Sequence, residues 1–321
     1  MLECQKCGEE AVYRRIYSGE VLCRRHLIYS GEVLCRRHFL KSIDDRVRLA
    51  IKRFRMFNPD DRIGLALSGG KDSLTLLYIL SKIEKAFPES KLIAITVDEG
   101  IKGYRRAALR LASEACEKLE IPHHIYSFKK LFGLTLDELV RIASERKLKP
   151  RPCIYCGILR RKALNIASED LKLSKIATAH NLDDVIQTYI LNLAHGDIYR
   201  FIASGPVTES RFTEIPTRVK PMVLIPEKEV SLYATLMGFK FQPTQCPYTG
   251  SSLRSDVRVL INKLENKHPG IMFTLLKSFE EIANSLKQSA EFPQIRKCGV
   301  CGSPATGDLC KACELLAKLK V

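Results

Sequence analysis

Between residues 60 and 193, short apolar runs alternate with longer segments whose apolar residues recur every three or four positions. That rhythm predicts strands alternating with helices. Residues 62–67 read as a buried strand, and Leu74, Leu76, Leu77, Ile79 and Leu80 beyond it fit a buried helix. Further strands are predicted at 91–97, 123–128 and 175–179, with a helix at 104–119, one that carries Arg160, Arg161 and Lys162 and runs to about 171, and one beyond the last strand to 193. The whole predicts an α/β fold, a doubly wound parallel sheet with helices on both faces. The loops after Leu67, Val97, Phe128 and Ala179 should then converge on one crevice at the carboxyl ends of the strands. Ahead of this body, Phe39, Leu40 and Ile43 open an amphipathic helix running toward Phe57. Behind it the pattern weakens: 194–245 holds Gly205-Pro206, Pro216, Pro221 and Pro226 and shows one helical stretch at 227–237. Helices at about 256–267 and 269–288 close the body.

The junction of the first strand and helix carries Ser68-Gly69-Gly70-Lys71-Asp72-Ser73. Two glycines let backbone approach a polyanion, and the first helix amides lack partners. Lys71, Ser68 and Ser73 add a charge and two hydroxyls. The alternative is an ordinary glycine-rich turn, which the combined order of strand, glycines, Lys, Asp and Ser disfavours. The four-residue spacer and Gly-Lys-Ser/Thr ending of the kinase and GTPase loop are absent. The motif instead resembles the PP-loop of ATP pyrophosphatases, which split ATP into AMP and pyrophosphate to activate a substrate oxygen. A second strand end carries His180-Asn181-Leu182-Asp183-Asp184, where carboxylates can hold Mg2+ or orient a nucleotide. Helix capping is the plainer role there, and it suits Asn181 or Asp183 better than Asp184. Within the crevice the nucleotide is expected to meet Val97, Asp98, His180 and Asp184.

Composition fits a globular chain able to bury a full core, with 45% hydrophobic content over 321 residues. No apolar run is long enough to span a bilayer, and Met1-Leu2-Glu3-Cys4 lacks signal-peptide character, so no membrane role and a cytoplasmic location are expected. Lys plus Arg number 52 against 36 Asp plus Glu, a formal charge of +16. Metal-bound thiolates at the sites below would lower it by about four units. A surplus of that size favours a polyanionic partner.

Twelve cysteines in such a chain argue for metal rather than disulfides. Cys4-Gln5-Lys6-Cys7 is a zinc knuckle that needs two more ligands, and the chain offers Cys23 with His26 and again Cys35 with His38. The second pair exists because residues 16–27 are repeated at 28–39 with only the last residue changed, a local tandem duplication. Loop closure favours the nearer pair by a few tenths of a kcal/mol, whereas continuity with the helix from Phe39 favours the farther one. Cys23 and His26 are the expected ligands. At the other end Cys298, Cys301, Cys310 and Cys313 form two knuckles eight residues apart, a Cys4 zinc signature. Cys116 and the paired histidines at 123 and 124 read as core and strand residues. The expected organisation is an N-terminal zinc finger at 1–38, a linking helix at 39–59, a catalytic domain at 60–292 and a C-terminal zinc finger at 293–321.

Cys153, Cys156 and Cys246 remain inside the body. Three thiolates are one short of a closed tetrahedral site, an arrangement that holds an ion or cluster with an open position. A redox pair and a third zinc site with an unseen ligand are the rival readings. Taken together, the CxxC with CxxH, the SGGKDS loop, the CxxC at 153–156, the AHNxDD motif, the lone Cys246-Pro247 and the terminal CxxC pair resemble the TtuA-type tRNA 2-thiouridine synthetases. The resemblance covers nearly the whole chain. The two fingers separate it from relatives that thiolate cytidine, and the duplicated knuckle departs from the pattern.

That resemblance implies a PP-loop, adenine nucleotide alpha hydrolase-like fold and a tRNA sulfurtransferase. ATP at 68–73 would adenylate the C2 oxygen of a tRNA uridine, with Lys71 neutralising phosphate and Asp72 and Asp184 placing Mg2+. Sulfur would then displace AMP. Cys153, Cys156 and Cys246 would hold a 4Fe-4S cluster with one open iron, and a ubiquitin-like sulfur carrier protein would supply sulfide from its thiocarboxylate. Arg160 and Arg161 would stabilise charge near the cluster or hold RNA, the alternative being a solvated helix face. Both the T-loop uridine and the wobble uridine are substrates in this family, and the charged composition leans toward the T-loop. A homodimer is common among such enzymes. Competing functions are another AMP-forming PP-loop ligase, which needs no tri-cysteine site, and a zinc-finger RNA-binding protein with an inactive loop.

Overall fold

The computed structural model describes residues 3–15, 32–209, 215–250 and 252–319. Strands β1 (Tyr13–Arg15) and β2 (Glu32–Leu34) form an antiparallel hairpin and lead into α1 (Arg36–Arg53). The body then runs β3 (Arg62–Ala66), α2 (Lys71–Glu84), β4 (Lys91–Asp98), α3 (Arg105–Leu119), β5 (His123–Ser127), α4 (Phe128–Phe132), α5 (Leu136–Glu145) and α6 (Pro152–Asp170). It continues through β6 (Lys175–Ala177), α7 (Leu182–Ala194), α8 (Ile198–Ile202), β7 (Val207–Thr208), β8 (Thr217–Val219) and α9 (Glu227–Leu236). After α10 (Leu253–Lys267) and α11 (Ile271–Ser289), a second small hairpin, β9 (Arg296–Lys297) with β10 (Pro304–Ala305), and α12 (Lys311–Lys318) complete the described chain.

The main sheet has the order β5-β4-β3-β6-β8-β7, parallel except for β7, which runs antiparallel to β8. β3 is its hinge: chain order advances through β4 and β5 on one side and through β6 and β8 on the other. A crevice opens where those two directions part, at the carboxyl ends of β3 and β6, and there ligands bind in folds of this kind. The expected α/β architecture and its parallel strands are therefore present. β3 and β4 carry near-continuous apolar runs because helices cover both faces. One core, with Leu65, Leu76, Leu77 and Val185, fills the α2, α7 and α9 side, and another, with Ile95, Leu139, Leu159 and Ile176, fills the side of α5 and α6.

Each end of the chain is tied to the body. Glu229 on α9 is fully buried and bonded by Arg15 of the first hairpin, with Nε at 3.0 Å from Oε1, and by Arg46 of α1. Two guanidiniums around one carboxylate balance the desolvation of all three groups. At the other end Cys298 and Cys310 are buried in the core beside α6, and Lys162 of α6 bonds to Cys301 Sγ at 3.4 Å and to Ser303.

Candidate functional site

The loop after β3 is shaped by Gly69, whose φ of +82° lies in the left-handed region. A Cβ there would collide with the carbonyl of Ala108 on α3, so only glycine fits. Ser68 and Ser73 hydroxyls lie 3.0 Å apart, and the amide of Ser68 donates to Ser73 Oγ at 3.2 Å, closing the loop on itself. Helix α2 starts at Lys71 with Gly70 as its N-cap and without a side-chain cap. Its first amides therefore face the crevice, an anion cradle of the kind a phosphate fills.

Lys71 reaches into the same space, with Nζ 2.9 Å from Asp72 Oδ2 and 3.1 Å from Glu227 Oε1. Burial alone would lower the pKa of its amine, but those two carboxylates outweigh it and hold the group above its ordinary range. Asn181 is the N-cap of α7 and Asp184 completes a capping box with it. Asn181 takes the cap as expected, whereas Asp183, the other candidate, turns inward and accepts the Glu227 amide at 2.7 Å, leaving Asp184 as the reciprocal partner. Burial raises the Asp183 carboxyl to about 6 and moves Asp184 in the same direction. Val97 gives its carbonyl to Arg105 at 2.6 Å, and Asp98 accepts the amide of Gly100 at 2.9 Å.

Cys153 and Cys156 lie in the first two turns of α6, which begins at Pro152 and carries Arg160, Arg161 and Lys162 as expected. Proline at N1 suits the start of the helix, and Cys153, next to it, lies at the positive end. The segment carrying Cys246 crosses the crevice: Gln242 Nε2 donates to the carbonyl of Tyr104 at 2.8 Å, and Cys153 Sγ lies 3.6 Å from the carbonyl of Tyr248. Cys156 and Cys246 are both half-buried against the core shared by α5 and α6. Burial pushes the Cys156 thiol up to about 11, opposed by Arg160, whose Nη2 donates to Cys156 Sγ at 3.3 Å.

The metal chemistry of these cysteines differs from that of the ends. In a tetrahedral zinc site with Zn–S near 2.3 Å, sulfurs stand about 3.8 Å apart. Cys4, Cys7, Cys35 and His38 fit this, with all four ligand atoms within 4.8 Å and Cys7 Sγ at 3.7 Å from Cys35 Sγ. Cys298, Cys301, Cys310 and Cys313 fit it equally, with Cys301 Sγ at 3.6 Å from Cys310 Sγ. Cys153, Cys156 and Cys246 do not form such a compact group among the described residues. A cluster whose ligands sit on separate irons needs the wider spread, and Arg160 and the α6 N-terminus supply the positive surroundings that suit it.

The first finger departs from expectation. Cys23 and His26 lie outside the described residues, and the pair assembled with Cys4 and Cys7 is Cys35 with His38. Continuity favours this pair: Cys35 is the N-cap of α1 and His38 sits in its first turn, so the helix that follows the hairpin holds both near Cys4 and Cys7.

A group of cations lies beyond the cysteines, with Asp184 the carboxylate that acts on Lys220 among the described residues. Arg218 and Lys220 are two residues apart at the end of β8, and Thr178, past the end of neighbouring β6, binds His180 Nδ1 at 2.8 Å. Arg161 on α6 stands one turn before Asn165, whose Oδ1 accepts from Arg218 Nη2 at 2.7 Å. Burial first, and Arg218 second, lower the Lys220 amine to about 8. His180 is open to solvent at the mouth but recessed among other groups, and that desolvation, helped by Lys220, Arg254 and Arg160, lowers its ring to about 4. Like charges crowd here as they do where a polyanion is to be received. Sequence reasoning missed Glu99, Arg105, Arg218, Lys220 and Glu227. Glu99 and Arg105 flank a turn whose outward signs are Gly100 and Gly103, and Arg218 and Lys220 lie in a stretch with no readable period.

Known proteins align with this arrangement. The family described as PP-loop domain matches residues 42–264. The chain is similar to the tRNA 2-thiolation protein NcsA of Haloferax volcanii, 34% identical over 99% of each chain. It is also similar to the tRNA-5-methyluridine(54) 2-sulfurtransferase of Pyrococcus horikoshii, 28% identical over 98% of this chain and 93% of that one. Among solved structures it resembles the U34-tRNA thiolase NcsA from Methanococcus maripaludis with its 4Fe-4S cluster, with a TM-score of 0.82 and 33% identity over 99% and 97% of the two chains.

Proposed function

The chain belongs to the PP-loop family of tRNA 2-thiolation enzymes, and from that premise we propose that it adenylates the C2 oxygen of the tRNA wobble uridine and replaces it with sulfur. One observation carries the reading: the phosphate cradle at 68–73 and the three internal cysteines open on the same crevice, bridged by the segment holding Gln242 and Cys246. An activated oxygen and an incoming sulfur must meet at one carbon, and this arrangement lets them.

In this reading the α2 amides and Lys71 take the phosphates of ATP, with Val97, Asp98 and His180 around the nucleoside. Asp72 and Asp184 would hold Mg2+, with Lys71, now paired to Asp72, turning to the phosphates. The uridine C2 oxygen attacks the α-phosphorus, a P–O bond forms and pyrophosphate leaves. Sulfide adds at C2 and the C–O bond breaks, so AMP departs with the former uridine oxygen. Cys153, Cys156 and Cys246 would hold a 4Fe-4S cluster, which would supply Lewis-acid binding of sulfide. Arg160, beside Cys156, stabilises anionic charge as it gathers at the sulfur. The thiocarboxylate of a ubiquitin-like sulfur carrier is the donor. Zinc fills both fingers, at 1–38 and 293–321, around the catalytic domain at 60–292. Arg161, Arg218 and Lys220 receive tRNA phosphates.

The wobble position is preferred to the T-loop uridine that composition suggested, because identity is higher to the solved relative named for U34 than to the relative named for position 54. A homodimer in the cytoplasm completes the proposal. Among the described residues no helix is long and apolar enough to cross a membrane. An anaerobic assay with unmodified tRNA tests the reading: AMP and pyrophosphate should form only when tRNA is present and should vanish in Asp184→Ala. ATP left intact in the presence of tRNA would contradict it.

A further inference from the structure

A carboxylate at 2% exposure sits between the two halves of the crevice without taking part in either. Glu99 follows the last residue of β4, and its backbone is fixed on both sides: its carbonyl accepts the Leu136 amide at 2.8 Å, and Gly100 next to it has φ +71° with Thr135 filling the space of a Cβ. Its Oε2 lies 2.7 Å from Arg105 Nε, and its Oε1 lies 2.6 Å from Arg160 Nη2. Arg105 is itself buried and donates to the carbonyls of Ser68 at 2.8 Å and Val97 at 2.6 Å. Arg160 extends to Cys156 Sγ at 3.3 Å. An unbroken chain of polar contacts thus runs from the nucleotide loop through Arg105, Glu99 and Arg160 to a cysteine of the tri-cysteine site.

We propose that Glu99 is a positioning residue: its buried carboxylate holds the Arg160 guanidinium over Cys156 and, through Arg105, sets that guanidinium at a fixed place relative to the nucleotide loop. The physical reason lies in Arg160 itself. Half of its side chain is exposed, and a long flexible side chain at a helix surface ordinarily samples many rotamers. A desolvated carboxylate held through one oxygen by ionic contact with an immobile partner leaves its other oxygen as a fixed anchor, and an ion pair shielded from water is stronger than an exposed one. Burying Glu99 is tolerable only because both cations are present. The two ends of the chain are then held at one separation, which a reaction joining an activated oxygen to an incoming sulfur requires. Its consequence for catalysis rests on the thiolation reading, but the anchoring itself does not.

The test therefore begins without tRNA, ATP or cluster. In the full-length chain, arginines are modified with phenylglyoxal, which attacks guanidiniums not engaged by carboxylates, and the modified peptides are quantified by mass spectrometry. Glu99→Gln should speed modification of Arg160 on the order of tenfold, the factor expected for one lost charge-assisted hydrogen bond. Arg161, its neighbour on α6, should keep its rate. An unchanged Arg160 rate, or equal acceleration at Arg160 and Arg161, would overturn the proposal, the second result meaning general loosening. If Glu99→Gln does not fold by circular dichroism, Glu99→Asp takes the same measurement and should give an intermediate Arg160 rate. With the complete enzyme, Glu99→Gln should lower kcat for thiolation while leaving KM for ATP within about twofold. Fast Arg160 modification with normal kcat would retain the anchor and remove its catalytic meaning.

Discussion

Asn181 Nδ2 donates to Asp72 Oδ1 at 3.2 Å, joining the loop after β3 to the motif after β6 across the crevice. The same Asn181 caps α7 with Asp184 as its reciprocal partner. Capping and function are thus shared by one constellation, and substitutions can separate them. Asp184→Asn keeps a side chain able to serve the capping box and removes only charge. Its stability in urea should stay within about 0.5 kcal/mol of the parent, while tRNA-dependent AMP formation should fall on the order of a hundredfold. Asn181→Ala loses the cap and should destabilise by about 1 kcal/mol.

For the first finger, metal content answers. Cys35→Ser should release one zinc per chain and lower the melting temperature, because its sulfur lies within 4.8 Å of the other three ligand atoms. Cys23→Ser should retain both zincs. Elemental analysis of the two purified variants separates these outcomes.

The sheet and most helices were legible because apolar period and turn residues agree there. β3 and β4 carry continuous apolar runs, and α3, α7 and α11 begin and end within two residues of the periodic segments that announced them. The loop 68–73 was legible because glycine, charge and hydroxyl fall in an order that only a cradle needs. What was hidden is of a different kind. β8 spans three residues and takes its place by pairing with β6, a long-range relationship with no local signature. Glu99 looks like loop charge and Arg105 like the first charge of a helix, and only folding buries them against each other. The duplicated knuckle offered two ligand pairs, and loop closure pointed to Cys23 and His26; the start of α1 gathers Cys35 and His38 with Cys4 and Cys7 instead, a packing constraint that no local pattern announces.

Arg161 is exposed and faces the cationic hollow, so its contact with RNA should be mainly electrostatic. Arg161→Ala should weaken tRNA binding and reduce the slope of log K against log salt by about 0.7 to 0.9, the value for one phosphate contact. ATP affinity should be unchanged. Filter binding between low and moderate salt reads both quantities.

Lys220 gives a pH signature. Its Nζ donates to the carbonyls of Ser204 and Gly205, with Arg218 and His180 nearby and Asp184 the one carboxylate in range. Its amine titrates at about 8 in the fold against 10.5 free. Between those values the unfolded chain binds more protons than the folded one, so stability should rise as pH increases from about 8 toward 10.5. tRNA affinity should move the other way, declining as the cation is lost. In Lys220→Met both trends should flatten, as denaturation midpoints and tRNA binding measured across that window will register.

The measurement closest to the central claim is the location of new sulfur in tRNA. Full-length protein loaded anaerobically with iron and sulfide is given ATP, a sulfide source and unmodified tRNA, and the RNA is digested and sequenced by mass spectrometry. The expected result is a single uridine at the wobble position in which sulfur replaces one oxygen, dependent on ATP and abolished in Cys246→Ala. Thiouridine confined to the T-loop would contradict the assigned position, and thiolation that survives in Cys246→Ala would contradict the three-cysteine site.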